Sequence, residues 1–191
     1  MVLNTYSDRT ITDALAGQGT IVSNGLLTLA GSLLIAVLAQ IAVPVGPVPI
    51  SGQTLGVLLV AAVLGPRRGT LAVAMYLAKG AAGLPVFAGG RAGLAVLMGP
   101  TGGYLIGFVA AAAVVGALCR AGMDRRPSTT FVTMIVGSGV IYLFGVLWLA
   151  RFTGWSGVVQ FGVIPFLFGD ALKAAIATVA LPMAWSFIRK S

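Results

Sequence analysis

The chain has 191 residues, of which 58% are hydrophobic and only 8% are charged, and its formal net charge is +8. A water-soluble domain carries about 25% charged residues, so this composition predicts an integral membrane protein whose outer surface faces lipid. The cations stand at the ends of apolar stretches, which is typical of topology signals and excludes a nucleic-acid partner.

The first 23 residues are comparatively polar and do not resemble a cleaved secretory signal, because no basic start leads into an apolar core. Beyond them, long uncharged apolar stretches predict transmembrane helices. The six predicted spans are residues 24–43, 51–64, 69–84, 100–118, 128–149 and 163–188. Nothing in the chain marks a domain boundary or a repeat, so residues 1–191 are predicted to form one all-α membrane domain.

The second and third spans are short, and an alternative is a single re-entrant hairpin with its tip at residues 65–69. That tip carries Arg67 and Arg68, and two adjacent unpaired arginines inside a membrane would be very costly. The tip therefore belongs at a membrane surface, and six spans is the better count.

Loop charges orient the predicted bundle. With the N-terminus in the cytoplasm, the cations on the inner side are Arg9, Arg67, Arg68, Arg120, Arg125, Arg126, Arg189 and Lys190. The outer side then keeps only Arg91 and Arg151, while Lys79 and Lys173 fall within spans or at their ends. This strong bias predicts that both termini are cytoplasmic.

Two opposite charges interrupt the last apolar stretch, residues 163–188, where Asp170 and Lys173 are the only ionisable groups. A spacing of three places both on one helix face, and the predicted topology puts them roughly 10 and 15 Å below the outer surface. A charge at the membrane centre costs roughly 2.5–3.5 kcal/mol on insertion scales, and such residues are functional by default. The pair is predicted to bind a polar solute reached from outside, the alternative being a structural ion pair.

The residue inventory excludes several kinds of chemistry. The chain has no histidine, one cysteine, Cys119, and no phosphate-binding loop of the Gly-Lys-Ser/Thr type. A serine protease pair, a histidine-based zinc site and ATP hydrolysis by that loop are therefore excluded. The sequence predicts a binding or transport protein that is not an enzyme and holds no metal or cofactor.

Other candidate site residues lie near the predicted outer surface. Glycine-rich segments at 89–93 and 99–103 flank an outer loop that carries Arg91, and glycines let backbone groups approach a ligand closely. Tyr104 begins the fourth span, either as an interfacial anchor or as a cavity wall. Gln53 begins the second span and projects an amide into the bundle or towards the outer loop.

Four segments together resemble the BioY family, which comprises the biotin-capturing S components of energy-coupling factor transporters in prokaryotes. They are Gly52-Gln53-Thr54-Leu55, Gly83-Leu84-Pro85-Val86-Phe87-Ala88-Gly89-Gly90, Gly99-Pro100-Thr101-Gly102-Gly103-Tyr104-Leu105, and Ile164-Pro165-Phe166-Leu167-x-Gly169-Asp170-x-x-Lys173. The resemblance covers nearly the whole chain from the first span onwards. It implies the six-helix S-component fold, with biotin bound near the outer face under the loop between the first two helices.

Biotin offers a carboxylate, a ureido ring with two N–H donors and one acceptor, and an apolar thioether body. The resemblance implies that Asp170, Lys173, Arg91, Gln53 and Tyr104 bind it. Lys173 can pair with the carboxylate, and Asp170 can hold the lysine or accept ureido N–H groups. Which charged residue meets which end of biotin stays open, and Lys79 has no assigned role beyond extending its ammonium group outward.

The resemblance also implies partners, namely a transmembrane coupling subunit and two cytoplasmic ATPases in a prokaryotic cell membrane. Small residues on the first helix form the coupling contact in the family. Here the stripe reads Thr28-x-x-x-Ser32-x-x-x-Ala36, which can serve that contact or pack inside the bundle. The alternative function is a self-sufficient secondary carrier for a small carboxylate or zwitterion, coupled through Asp170.

We expect reporter fusions at both termini to lie on the cytoplasmic side, because the cation bias is strong. We also expect a membrane-impermeant thiol reagent to label an Arg91→Cys protein from outside. The unchanged protein is the control for labelling at Cys119. An extracellular C-terminus would overturn the six-span topology and the depth assigned to Asp170 and Lys173.

Overall fold

A computed structural model describes residues 9–16 and 20–188. Residues 1–8 and 17–19 lie outside the described residues, as do Arg189 and Lys190. The predicted polar segment 1–23 contains a short helix, α1 (Ile11–Ala16). The long helices are α2 (Ile21–Ala39), α3 (Gln53–Ala81), α5 (Gly102–Arg120), α6 (Pro127–Gly162) and α7 (Ile164–Ile188). Between them lie strands β1 (Ala42–Val43) and β2 (Ile50–Ser51), a 3-10 turn (Ala88–Gly90) and a short helix α4 (Leu94–Met98).

The predicted first span, 24–43, is displaced towards the N-terminus in the structure. Helix α2 begins at Ile21, where the Thr20 side chain caps it by accepting a hydrogen bond from the Ser23 amide. It ends at Ala39, because residues 42–43 pair with residues 50–51 as a small antiparallel hairpin. The predicted second span, 51–64, accordingly begins at Gln53 and not at Ser51.

Helix α3 folds back on itself at Gly65. Its backbone there has φ 80° and ψ −176°, a conformation that favours glycine, and Pro66 then begins the second arm. Gln53 hydrogen-bonds Tyr76, 23 residues away, although a straight helix would separate them by roughly 35 Å. The arms 53–64 and 66–81 are therefore antiparallel and correspond to the predicted spans 51–64 and 69–84, with Arg67 and Arg68 at the tip.

Helix α6 continues well beyond the predicted span 128–149. It bends at Gly154, where φ is 69° and ψ is 166°, and its last turns fold back so that Gly162 lies against the Leu149 side chain. Helices α5 and α7 match the predicted spans 100–118 and 163–188 to within two residues.

The bundle packs around the α3 hairpin, which contacts α2 on one side and α5 on the other, while α6 joins α5 to α7. Close approach depends on glycine: a Cβ at Gly103 would lie 2.2 Å from the Trp148 Cβ, so α5 and α6 pack almost backbone to backbone. The polar α1 lies against the α3 bend, where Thr12 Oγ1 donates to the Val63 carbonyl at 2.6 Å.

An ion pair between Asp13 and Arg68 also ties α1 to the bend. Partial burial alone would raise the pKa of Asp13. Hydrogen bonds from Thr10 and the adjacent Arg68 guanidinium outweigh burial and lower that pKa below its usual value.

Five helices are long and apolar enough to cross a membrane, judged by length and composition among the described residues. Large apolar side chains such as Leu33, Phe144, Phe168 and Leu172 are exposed around the bundle, as expected of a surface that faces lipid. The chain is thus an all-α, multi-pass membrane protein. The number of crossings and the cytoplasmic location of both termini stay predictions.

Two ends of the bundle differ in character. One end, here called the loop end, carries the β1–β2 hairpin and residues 82–101. The opposite end, here called the basic end, carries the α3 bend and residues 121–126. At the basic end Trp185 Nε1 donates to Asp124 Oδ2 at 2.6 Å, so α7 runs from the loop end to the basic end. Asp170 and Lys173 therefore lie about two helical turns from the start of α7, towards the loop end, while their depth in a membrane stays a prediction.

Candidate ligand-binding site

A cavity lies at the loop end between the β1–β2 hairpin, α3, α5, α6 and α7. Its volume is about 580 Å³, which includes the space open to solvent at its mouth. The cavity brings together all five residues that the sequence analysis singled out. They are Gln53, Arg91, Tyr104, Asp170 and Lys173. Whether these residues bind a ligand stays a prediction.

The charged pair forms the polar floor of the cavity. Lys173 Nζ lies 3.0 Å from Asp170 Oδ1 and donates to Thr54 Oγ1 at 2.6 Å. Their side chains are only 14% and 12% exposed, so both charges are largely removed from water. Burying an isolated ion is costly, and the mutual pairing offsets that cost. The ammonium group has three N–H donors, so one stays available to a ligand.

Two further side chains hold Asp170, and the sequence analysis did not assign either to the site. The Tyr142 hydroxyl on α6 donates to Asp170 Oδ2 at 2.5 Å, and Thr54 Oγ1 lies 3.5 Å from Asp170 Oδ1. Thr54 belongs to one of the family-like segments, immediately after Gln53. Tyr142 is the only tyrosine in the predicted span 128–149, which is the one sequence signal that could have identified it.

Aromatic side chains surround this polar floor. Phe87, Phe108 and Phe166 line the cavity, and Tyr104 lies beside Phe166 with the two ring centroids 6.1 Å apart. Tyr104 donates its hydroxyl proton to the Gly162 carbonyl at 2.7 Å, which fastens α5 to the folded-back end of α6. Tyr104 is therefore a buried cavity wall, and the alternative of an interfacial anchor is wrong.

Gln53 enters the cavity from the start of α3 and is almost fully buried. Its Nε2 donates to the Tyr76 hydroxyl at 2.5 Å, and its Oε1 accepts from Ser51 Oγ at 3.0 Å. The α3 hairpin makes this arrangement possible, because it brings Tyr76 on the second arm beside the start of the first. The amide is held between β2 and the second arm of α3.

Arg91 lies at the mouth, on the loop between α3 and α4. Its Nε donates to the Ala88 carbonyl at 3.2 Å, and the residue is otherwise exposed. Arg91 takes part in neither the Arg68–Asp13 nor the Lys173–Asp170 ion pair. The site thus has a neutralised ion pair at its floor and, at its mouth, a cation that belongs to neither of these pairs.

Outside the cavity, one expectation needs correction and one open alternative is decided. Lys79 does not extend outward into water, because its Nζ turns inward and donates to Ser32 Oγ at 2.7 Å between α3 and α2. Thr28, Ser32 and Ala36 are all buried, so the small-residue stripe packs inside the bundle against the α3 hairpin. It is not available to a partner on the outside of α2.

Metal chemistry finds no support in this geometry. Among residues 9–16 and 20–188, no three His, Cys, Asp or Glu side chains come together in a way that could hold a metal ion. The cavity is suited to an organic solute with an apolar body and a few polar groups.

Comparison with known proteins is consistent with this architecture. The family model described as the BioY family matches residues 11–190. A protein named probable biotin transporter BioY from Pyrococcus horikoshii is 43% identical over 141 residues, covering 74% of this chain and 83% of that protein. The biotin transporter BioY2 of Lactococcus lactis subsp. cremoris is 41% identical over 167 residues, covering 85% of this chain and 90% of that protein.

A solved structure shares the fold. It is a crystal structure of the S-component for biotin from an ECF-type ABC transporter, with 26% sequence identity and a TM-score of 0.76. The match covers 89% of this chain and 92% of the other. Since the family model spans almost every described residue and the relatives match most of the chain, this protein belongs to the BioY family.

Proposed function

We propose that this chain is the biotin-binding subunit of an energy-coupling factor importer in a prokaryotic cell membrane. The observation that carries the proposal is the cavity, in which a buried Asp170–Lys173 pair faces aromatic walls in a chain of this family. Biotin has an apolar bicyclic body, a ureido group and one carboxylate. An apolar cavity with a few fixed polar groups is the kind of site that holds such a ligand.

Charge balance favours one orientation of biotin, a point that the sequence left open. Lys173 is already neutralised by Asp170, so a ligand carboxylate placed there would add a net negative charge close to the Asp170 carboxylate. The ureido group is neutral and needs both donors and an acceptor. The third N–H of Lys173 can donate to the ureido oxygen, and Asp170 has lone pairs left for a ureido N–H.

The carboxylate then belongs at the mouth, beside Arg91. The guanidinium group has donors to spare, because only Nε is used within the loop. Arginine binds carboxylates in a bidentate manner, so it adds geometry as well as charge. In this orientation the ureido ring lies on the polar floor and the valeryl chain passes the aromatic walls to reach Arg91.

The proposed partners are a transmembrane coupling subunit and two cytoplasmic ATPases. The chain has no phosphate-binding loop of its own, so in an ATP-driven importer the ATPase partners supply that loop. We propose that the chain binds biotin without any cofactor. The surface that meets the coupling subunit does not include the buried Thr28, Ser32 and Ala36 side chains.

Substitutions of the charged pair test the site. We expect Lys173→Met to weaken biotin binding roughly 10- to 150-fold, since a hydrogen bond to a charged group contributes about 1.5–3 kcal/mol. Asp170→Asn should weaken binding less, because the amide oxygen still accepts a hydrogen bond. Biotin binding and thermal stability would be measured for both single variants and for the double variant. A stable double variant with normal biotin binding would contradict the proposed site.

Orientation is tested with biotin and biotinamide, in which the carboxylate is replaced by a neutral amide. We expect Arg91→Gln to weaken binding of biotin about 10-fold or more while leaving biotinamide binding nearly unchanged. Lys173→Met should weaken both ligands by similar factors. The matched control is Arg151→Gln, since Arg151 stacks on Trp148 at the loop end and does not line the cavity. The opposite pattern would place the carboxylate at Lys173.

Uptake of labelled biotin distinguishes the importer subunit from the self-sufficient carrier. Cells that lack their own biotin transport would produce the chain alone, or with a coupling subunit and two ATPases. We expect rapid uptake only with the partners, and its loss when the ATPases are inactivated. Uptake by the chain alone that collapses with the proton gradient and is lost in Asp170→Asn would favour the carrier.

A further inference from the structure

Behind the cavity wall lies a buried chain of hydrogen bonds that runs from β2 to the outer loop. Ser51 Oγ donates to Gln53 Oε1 at 3.0 Å, Gln53 Nε2 donates to the Tyr76 hydroxyl at 2.5 Å, and Tyr76 donates to the Val86 carbonyl at 3.1 Å. Tyr76 is fully buried and does not line the cavity. The other two side chains in this series of hydrogen bonds, Ser51 and Gln53, both line the cavity.

The direction of these hydrogen bonds follows from one fixed acceptor. A carbonyl oxygen only accepts, so Tyr76 must use its single hydroxyl proton on Val86. The tyrosine oxygen can then only accept from Gln53, which requires the NH₂ side of the amide to face Tyr76. The Gln53 oxygen is thereby turned towards Ser51. The tyrosine hydroxyl thus sets the amide orientation, leaving the second N–H of Nε2 as a donor for the cavity.

The same hydroxyl holds the outer loop. Val86 immediately precedes Phe87, and the Phe87 amide donates to the Arg91 carbonyl at 3.0 Å. The Tyr76 ring also meets the Phe87 ring edge to face, with centroids 5.7 Å apart. Phe87 and Arg91 both line the cavity, so Tyr76 lies behind two separate parts of its wall.

We propose that Tyr76 is a positioning residue for ligand binding, which acts chiefly through the Gln53 amide and to a smaller extent through the loop that carries Arg91. This inference rests on the proposed function, since the ligand is taken to be biotin. Gln53 supplies an N–H donor, which suits an acceptor on the ligand such as the ureido oxygen. Loss of the hydroxyl leaves the amide free to rotate and its buried N–H without a partner, whereas the Val86 carbonyl keeps a weaker contact with Gln40 Nε2 at 3.5 Å.

The test is a double-mutant cycle on biotin affinity with Tyr76→Phe, which keeps the ring against Phe87, and Gln53→Met, which keeps the side-chain length. We expect Tyr76→Phe to weaken biotin binding about 5- to 100-fold in the otherwise unchanged protein. In the Gln53→Met background the same change should weaken binding less than about 3-fold, because most of its effect passes through the amide. Thr133→Val is the matched control, since it removes another buried hydroxyl that lies away from the cavity.

A purely structural role for Tyr76 gives a different result. It would lower thermal stability in Tyr76→Phe and Thr133→Val alike. Tyr76→Phe would then leave biotin affinity unchanged, or would weaken it by the same factor with and without the Gln53→Met substitution. Either result for biotin affinity would overturn the proposal.

A second measurement needs no ligand, so it separates this proposal from the assignment of biotin. We expect hydrogen exchange to be faster in Tyr76→Phe at the amides of Phe87 and Gly90, whose bonds lie within the loop, and unchanged in Thr133→Val. If the unchanged protein binds no biotin, the proposed function fails and this exchange still decides whether Tyr76 holds the loop. Unaltered exchange at both amides would overturn the part of the proposal in which Tyr76 holds the loop.

Discussion

Two opposite charges, both largely removed from water inside an apolar helix bundle, set the main constraint on this structure. Neither Asp170 nor Lys173 could be held in this environment alone, because an unpaired buried ion costs several kcal/mol. Their mutual pairing reduces that cost, and hydrogen bonds from outside α7 reduce it further. Thr54 supplies one from α3, and Tyr142 supplies another from α6. The pair therefore ties three helices together at a single point, and that point is the floor of the cavity.

The same arrangement supports the proposed role of the pair in ligand recognition over the alternative of a purely structural ion pair. Each charge is neutralised by the other, yet the ammonium group keeps one N–H and the carboxylate keeps lone pairs that face the cavity. A neutral group with both donors and an acceptor can bind there without leaving an excess charge in the membrane. In the proposed orientation the ligand carboxylate meets its counter-charge at the mouth, where Arg91 is exposed and costs little to keep charged.

The α3 hairpin is the second element on which the site depends. Its bend at Gly65 turns two short apolar arms side by side, and α1 packs over that bend through Thr12 and Asp13. Because the arms are antiparallel, Tyr76 on the second arm reaches Gln53 at the start of the first. One buried hydroxyl then connects the cavity wall to the outer loop. Side chains that never touch the ligand can in this way influence how the site is presented.

Hydropathy and charge patterning determined the class of the protein, the approximate limits of the apolar segments and the position of Asp170 and Lys173 about two turns into the last helix. These properties follow from residue type and a helical rise of 1.5 Å per residue, so no tertiary information is needed. The family-like segments around Gln53, Tyr104 and Asp170 likewise identified several of the segments that line the cavity. Helix ends were less accurate, as at residues 42–43, where strand pairing ends α2 early.

Only the tertiary structure decided which polar groups meet. Tyr142 and Thr54 lie 28 and 116 residues from Asp170, and no periodicity links such distant positions. The sequence predicted that Lys79 extends outward, but its ammonium group donates to Ser32 on α2. Of the two roles open to the small-residue stripe, the structure shows packing inside the bundle. Apolar patterning tells which segments are buried in lipid or protein, but polar partners depend on helix rotation and on the order in which helices pack. That order is a property of the folded bundle, because many different side-chain contacts satisfy the same hydropathy pattern.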